Sequence, residues 1–348
     1  MTEQNETTHG GDIYRNPYVT DYSVNSNPLG VPEAVRKSIQ DSAEYIMHYP
    51  DVRCDRLRES ISDFEGIKKD EILCGNGAAE LFFAITMALK PEKAMVTAPA
   101  FSEYERALRA AGAKVQYYRL KETDGFLVRE DILQEITEDL DMMFLCNPNN
   151  PTGETTERAL LIQVMERCRE CNTVLVLDEC FIDFLKEPER YECTEYLKSY
   201  PNVIIVKAFT KIFCMPGVRL GYAMCKEKSM REKIRAMLQP WNVSVVAQRA
   251  GVAALVDCEE YLRKTRAYIC REKDWMTKKI TSLGMKVYGS KANYIFVRGE
   301  KGLYEKALKN SFLIRDCKNY EGLEDGYYRI AIRSKEENER LIRWLEKL

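Results

Sequence analysis

Five short, mostly apolar runs, at 71–74, 94–97, 142–146, 174–177 and 203–206, set the strongest limit on the fold. They do not alternate polar with apolar residues, as a strand wetted on one face does; strands covered on both faces read this way. Stretches with helical periodicity, such as 78–89 and 158–169, separate several of them. The alternation predicts an α/β fold with a mostly parallel sheet covered on both faces. After Met224 the pattern changes. Residues 226–238 and 244–256 read as helices and 258–283 as one long helix. Short strands follow at 286–288, 293–297 and 328–332, and a closing helix at 335–348. This ending reads as a smaller α+β domain. A chain of 348 residues is too long for one simple core and fits two lobes. The expected division is an extended arm rich in Asn, Pro and Gly at 1–35, a large domain at 36–240 and a small domain at 241–348.

Charge and cysteine usage narrow the function. Net charge is -2, with Lys and Arg spread along the chain. Without a basic stripe, nucleic acid is not an expected partner. No apolar run approaches the ~18 residues of a membrane span, and the polar N-terminus does not read as a secretion signal. A cytoplasmic location is expected. The 12 cysteines are scattered, and Cys168 and Cys171 form an isolated Cys-x-x-Cys. A zinc site would need further ligands, and His9 and His48 are the only histidines. Reduced thiols and no metal are expected.

Polar and glycine-rich segments cluster at the ends of the apolar runs. Gly75-Asn76-Gly77-Ala78-Ala79-Glu80 lies between a strand and a helix. There glycine lets the backbone approach a ligand, and a helix start offers free N–H groups to a phosphate. The missing third glycine argues against a dinucleotide fingerprint. Asn147-Pro148-Asn149-Asn150-Pro151-Thr152-Gly153 follows 142–146; alone it reads as a turn, but open α/β sheets bind ligands at that edge. Asp178-Glu179 closes 174–177. A buried acid there needs a partner, such as a protonated pyridine nitrogen, unless it merely caps a helix. Last come Lys207-Ala208-Phe209-Thr210-Lys211 and Met215-Pro216-Gly217-Val218-Arg219-Leu220-Gly221. A lone lysine is normally a surface charge. One buried near other cations has a lowered pKa and becomes a nucleophile, and Arg219 could hold a phosphate through two hydrogen bonds.

These four segments, in this order, resemble the pyridoxal-phosphate (PLP) enzymes of fold type I, the aspartate aminotransferase superfamily, over nearly the whole chain. The resemblance implies that Lys211 carries the cofactor as a Schiff base and later shuttles a proton. It implies that Asp178 keeps the pyridine nitrogen protonated and that Asn150 donates to the ring's phenolic oxygen. Tyr104, in Phe101-Ser102-Glu103-Tyr104, matches the aromatic stacked on the ring. Gly77, Ala78 and Ala79 match the phosphate loop, and Thr210 and Arg219 the phosphate's other contacts. Tyr49 matches a tyrosine reaching the phosphate from a second subunit, so a homodimer with a shared site is implied. Two positions depart from the pattern. Ala208 replaces a phosphate-binding serine, a hydrogen bond worth about 1.5–3 kcal/mol. Phe181 replaces a tyrosine that donates to the phenolic oxygen.

Within the superfamily two branches compete. Asn25-x-Asn27-Pro28-Leu29-Gly30, Tyr49-Pro50-Asp51 and Tyr328-Arg329-Ile330 look like histidinol-phosphate aminotransferases. His9-Gly10-Gly11, Phe101 to Arg106, Asp178 to Phe184 and Ile314-Arg315-Asp316-Cys317 look more like threonine-phosphate decarboxylases, which serve cobalamin biosynthesis. The finer match favours decarboxylation of threonine phosphate, with transamination as the alternative. Either substrate is an amino compound with a phosphate ester, so cationic anchors are needed. Arg315 and Arg329, with Arg333 nearby, match them, and His9, Asn27 and Asn293 are further substrate-binding candidates. Some folds of this type act in transcription regulators behind a helix-turn-helix, but residues 1–35 hold nothing helical enough for one.

Overall fold

Parallel strands bring their C-terminal ends to one edge of a sheet, where the loops beyond them can place functional side chains. A computed structural model describes residues 9–348; residues 1–8 of the expected arm lie outside the described residues. The strands are β1 (Thr20–Asp21), β2 (Ile72–Gly75), β3 (Lys93–Ala98), β4 (Lys114–Arg119), β5 (Met142–Cys146), β6 (Val174–Asp178), β7 (Val203–Ala208) and β8 (Gly221–Cys225). Seven of them form the central sheet in the order β2-β8-β7-β6-β5-β3-β4. Strands β3 to β7 pair in parallel, whereas β8 runs antiparallel to both β7 and β2. The mostly parallel sheet read from the apolar runs is therefore present. Two strands escaped that reading. The edge strand β4 is nowhere fully buried, so its sequence stays mixed. β8 begins inside a glycine motif that reads as a loop.

β8 can be antiparallel because no crossover precedes it. After β7 the chain makes one short helix, Phe209–Ile212, and a turn, then re-enters the sheet at Gly221 opposite Ala208. That short path puts Lys211 and Arg219 at the same sheet edge.

The remaining strands are β9 (Lys286–Tyr288), β10 (Tyr294–Arg298), β11 (Phe312–Leu313), β12 (Arg315–Asp316) and β13 (Tyr327–Ala331). They build an antiparallel sheet of order β12-β13-β10-β9, while β11 pairs with β1 of the arm. The arm is thus woven into the small lobe: Tyr22 is buried in its core and donates to the Glu337 carbonyl at 2.6 Å. Helix Val245–Leu255 sits against helices Glu33–Asp41 and Asp55–Glu65 of the large lobe, where Gly251 admits the Leu57 and Leu220 side chains. The helix Glu259–Ser282 bridges the lobes. Its Leu262 and Ile269 join the large core, and its Met276 and Ile280 the small one. Among the described residues no helix is long and apolar enough to cross a membrane.

Behind the sheet edge lies a buried ion cluster. Lys207, 2% exposed, pairs with Glu65 at 2.8 Å, with Glu192, and with Glu179 at 3.8 Å. Tyr222 donates a further hydrogen bond to Glu65. Burial pushes the Glu179 carboxyl up to about 8 even beside this lysine. The cluster ties β6 and β7 to helix Asp55–Glu65. Lys207→Met removes the only cation that, among the described residues, pairs with the buried Glu65 and Glu179 carboxylates, so an expected loss of about 3–5 kcal/mol follows. Urea denaturation measures it, and a loss below about 1 kcal/mol would show that the acids simply take up protons.

Candidate active site

At the C-terminal ends of β5, β6 and β7 lies a cavity of about 250 Å³. Open parallel sheets leave room for a ligand there because the loops beyond the strands diverge. Its walls include His9, Ala78, Ala79, Asn150, Asp178, Thr210, Lys211, Arg219, Arg315 and Arg329. All ten were predicted from sequence, and they span nearly the full chain.

Lys211 lies half-buried on the short helix after β7. Desolvation lowers its amine to about 8, with Arg329 and Arg219 pushing the same way. A substantial neutral fraction near neutral pH makes it a nucleophile toward a carbonyl carbon. Asn27, expected in the pocket wall, instead holds this segment from behind. Its backbone N–H donates to the Lys211 carbonyl at 2.9 Å. Its amide donates to the Ile212 carbonyl and to Thr265. Asn293 is likewise a tie, donating to the Asn25 carbonyl at 2.7 Å, and Asn25 rather than Asn293 lines the cavity.

Groups that could hold an anion gather where β2, β8 and β7 meet. Helix Gly77–Leu89 starts here, with Ala78 and Ala79 in its first turn, opposite Thr210 and Arg219. Gly77 does not line the cavity; it makes room for Arg219, since a Cβ there would sit 2.4 Å from Nη2. Arg219 itself adopts a left-handed backbone, φ 61°, a costly conformation for a side-chain-bearing residue that is often kept where function needs it. Ala208 lines the cavity as expected and offers no hydroxyl.

Asp178 closes β6 with its carboxylate buried. Burial pushes its carboxyl up, and three donors pull it back: the Cys180 thiol, the Tyr104 hydroxyl and the Cys180 N–H at 2.9 Å. Asp178 thus offers a negative charge to a cationic group in the cavity. Tyr104 does not stack on anything in the cavity. It is 1% exposed, with its ring stacked on Phe144 at 5.1 Å. Phe101 lines the wall instead. It precedes helix Ser102–Ala110 in extended conformation, while Tyr104, one turn in, packs into the core. Two aromatics three residues apart share a helix face, so sequence spacing alone could not choose between them.

Asn150 is oriented by its neighbours. Its side-chain oxygen accepts from Arg329 Nη1 and, at 3.5 Å, from the Tyr320 hydroxyl. The amide N–H₂ is left as the free donor. Tyr320 was missed because its loop, between β12 and β13, carries no motif. Arg315 and Arg329 are direct cross-strand partners on β12 and β13, both buried. Like charges directly opposite repel, yet among the described residues neither has a carboxylate partner. Arg315 donates to Asn319 at 2.9 Å, Arg329 donates to the Ser23 carbonyl at 2.7 Å, and Arg329 Nε has no acceptor. His9 on the arm also faces the cavity, with Nε2 3.1 Å from Glu103. Tyr49 is outside the cavity: it is 80% exposed, its ring 4.6 Å from that of Trp241.

The chain resembles proteins of known fold over almost its full length. The family described as Aminotransferase class I and II matches residues 18–345. The threonine-phosphate decarboxylase of Salmonella typhimurium is 36% identical, covering 97% of this chain and 95% of that protein. Histidinol-phosphate aminotransferase 2 of Archaeoglobus fulgidus is 31% identical, over 95% of this chain and 93% of that one. The crystal structure of the histidinol-phosphate aminotransferase from Clostridium acetobutylicum superposes with a TM-score of 0.87 at 31% identity, covering 94% of this chain and 98% of that one.

The lowered amine is directly measurable. In the cofactor-free protein, acetylation of Lys211 by a limiting pulse of anhydride should rise through about pH 8, whereas surface lysines follow at about 10.4. Arg329→Met, which removes a nearby positive charge, should move the Lys211 midpoint upward. Peptide mapping that finds Lys211 tracking the surface lysines would contradict the electrostatic picture.

Proposed function

The chain belongs to the aminotransferase class I and II family, and from that premise we propose that it is a PLP enzyme that decarboxylates L-threonine O-3-phosphate to aminopropanol phosphate. The residues present fit the cofactor. Ala78, Ala79, Thr210 and Arg219 would hold its phosphate, Asp178 its ring nitrogen, Asn150 its phenolic oxygen and Lys211 its carbonyl carbon, with Phe101 at the ring. The absent hydroxyl at Ala208 makes the phosphate grip one hydrogen bond weaker. When bound, PLP accepts the electron pair released as a bond at Cα breaks.

The observation that carries the substrate reading is the pair Arg315 and Arg329, buried side by side without a carboxylate between them. A dianionic phosphate ester resolves their repulsion, and His9 adds a third donor to it. Anchoring the phosphate there leaves the α-carboxylate without a cationic grip. That favours its loss, because a guanidinium holding the carboxylate would stabilise the charge that disappears as CO₂ forms. Asp178 would keep the ring nitrogen's proton in place, and Lys211, in its protonated ammonium form, would be the group placed to give a proton to Cα; an amine lowered to about 8 can both hold and release that proton near neutral pH. Phe181, edge-on to Tyr294 at 5.3 Å, lines the cavity where a hydroxyl donor would otherwise stand.

A second reading, transamination of histidinol phosphate, draws on the close superposition on the Clostridium acetobutylicum enzyme. It uses the same phosphate anchors but needs room for an imidazole and a keto-acid partner.

The site is further proposed to be shared between two copies. The Tyr49 ring lies against Trp241, and Tyr45, Ile46, Met47 and Val52 nearby in the chain are also exposed; apolar side chains of this kind are what a second copy would cover.

Purified protein with PLP should release CO₂ from L-threonine O-3-phosphate, and Lys211→Ala should abolish both turnover and the borohydride-reducible adduct on its peptide. Arg315→Ala should raise KM by about tenfold or more, the worth of one charged hydrogen bond. Glutamate from 2-oxoglutarate and histidinol phosphate, without CO₂ from phosphothreonine, would establish the second reading instead. For the shared site, co-expressed Tyr49→Phe and Lys211→Ala chains should be more active than either variant alone, because mixed dimers regain one intact site. A fully active monomer in light scattering would end that part of the proposal.

A further inference from the structure

Tyr104 is walled off from the cavity, yet its one polar atom is committed to the acid of the site. The Tyr104 hydroxyl donates to Asp178 Oδ2, while the Cys180 N–H donates to Oδ1 at 2.9 Å. Both oxygens of the carboxylate are therefore held from the protein side. The tyrosine ring is clamped by aromatics. It stacks on Phe144 at 5.1 Å and meets Phe82 and Phe101 edge-on at 5.0 and 5.7 Å. Phe144 belongs to β5, whose Cys146 is the direct strand partner of Asp178. Clamp and acid thus hang from neighbouring strands, and the hydroxyl has one place to point.

The other titratable groups facing Asp178 are the thiols of Cys146 and Cys180 and the phenol of Tyr294, itself pushed well up by burial, with Lys211 on the cavity side. Burial and Asp178 push both thiols well up, so they stay neutral. The Tyr104 phenol is pushed far above its ordinary range by burial and then by Asp178, so it remains a donor and does not surrender its proton. Without such donors a carboxyl this deeply buried takes up a proton itself. Protonated, it could no longer hold the proton on a cofactor's ring nitrogen.

We propose that Tyr104 is a positioning residue that keeps Asp178 ionised and fixes the orientation in which the carboxylate faces the cavity. The consequence for catalysis rests on the reading of this cavity as a PLP site; the hydrogen bond and its effect on Asp178 do not.

Tyr104→Phe keeps the ring and deletes the donor. In the cofactor-free, ¹³C-aspartate-labelled protein, the Asp178 carboxyl signal, assigned by its loss in Asp178→Asn, should titrate about one pH unit or more higher in the Phe variant. In the PLP-loaded protein, the pH titration of the cofactor's absorbance should also move up, because a more basic carboxylate draws the proton from the ring nitrogen. Turnover should fall about tenfold in kcat with KM within about twofold, as expected when only the reaction step is affected. Tyr104→His, which restores a ring donor, should return both midpoints toward wild type. A role in packing alone would lower the melting temperature and leave both titrations in place, and that result overturns the proposal. If the wild-type protein takes up no cofactor, the PLP reading fails, and the cofactor-free titration still decides the role of Tyr104.

Discussion

The C-terminal edge of the central sheet holds more charge than an apolar interior tolerates, and the surrounding structure is arranged to answer it. Successive residues on a strand face opposite sides. At the end of β6, Asp178 turns to the cavity and Glu179 to the far face. At the end of β7, Lys207 turns to the far face and Ala208 to the cavity. On the far face Lys207 is met by Glu65, Glu179 and Glu192, so that charge is settled inside the protein. On the cavity side it is not. Asp178 is met by neutral donors, and Arg315 and Arg329 mostly by neutral acceptors. Buried charges met only by neutral dipoles on one side of a sheet mark where a charged ligand completes the structure.

Several residues that look like pocket residues in the sequence serve the site at one remove. Asn27 and Asn293 use their amides on backbone carbonyls. In doing so they bind the arm to the Lys211 segment and to the small lobe. Gly77 gives Arg219 its space, and Arg329 turns Asn150 so that a donor is left for the cavity. Lys211, the start of helix Gly77–Leu89 and the Arg315–Arg329 pair come from three parts of the chain. Their mutual placement depends on these ties as much as on the sheet. The helix Glu259–Ser282, shared between both cores, sets the lobes against each other.

The sequence by itself determined most of the strand framework and marked the polar residues that gather at the cavity. Strands buried on both faces must be apolar almost throughout, so β2, β3, β5, β6 and β7 were visible as runs, and the polar residues just past them were visible as interruptions. Burial sets no such requirement on the edge strand β4, and β8 starts within a glycine motif, so neither could be read. The tertiary structure alone decided which aromatic meets the cavity, Phe101 or Tyr104. Helical spacing puts both on one face, and only the start of the helix relative to β5 and β6 separates them. It alone revealed that Asn27 and Asn293 tie backbone segments together, since an amide's partner is a matter of position and not of residue type. It alone set Arg315 opposite Arg329, because cross-strand register comes from the pairing of distant segments, and no local pattern in either strand records it.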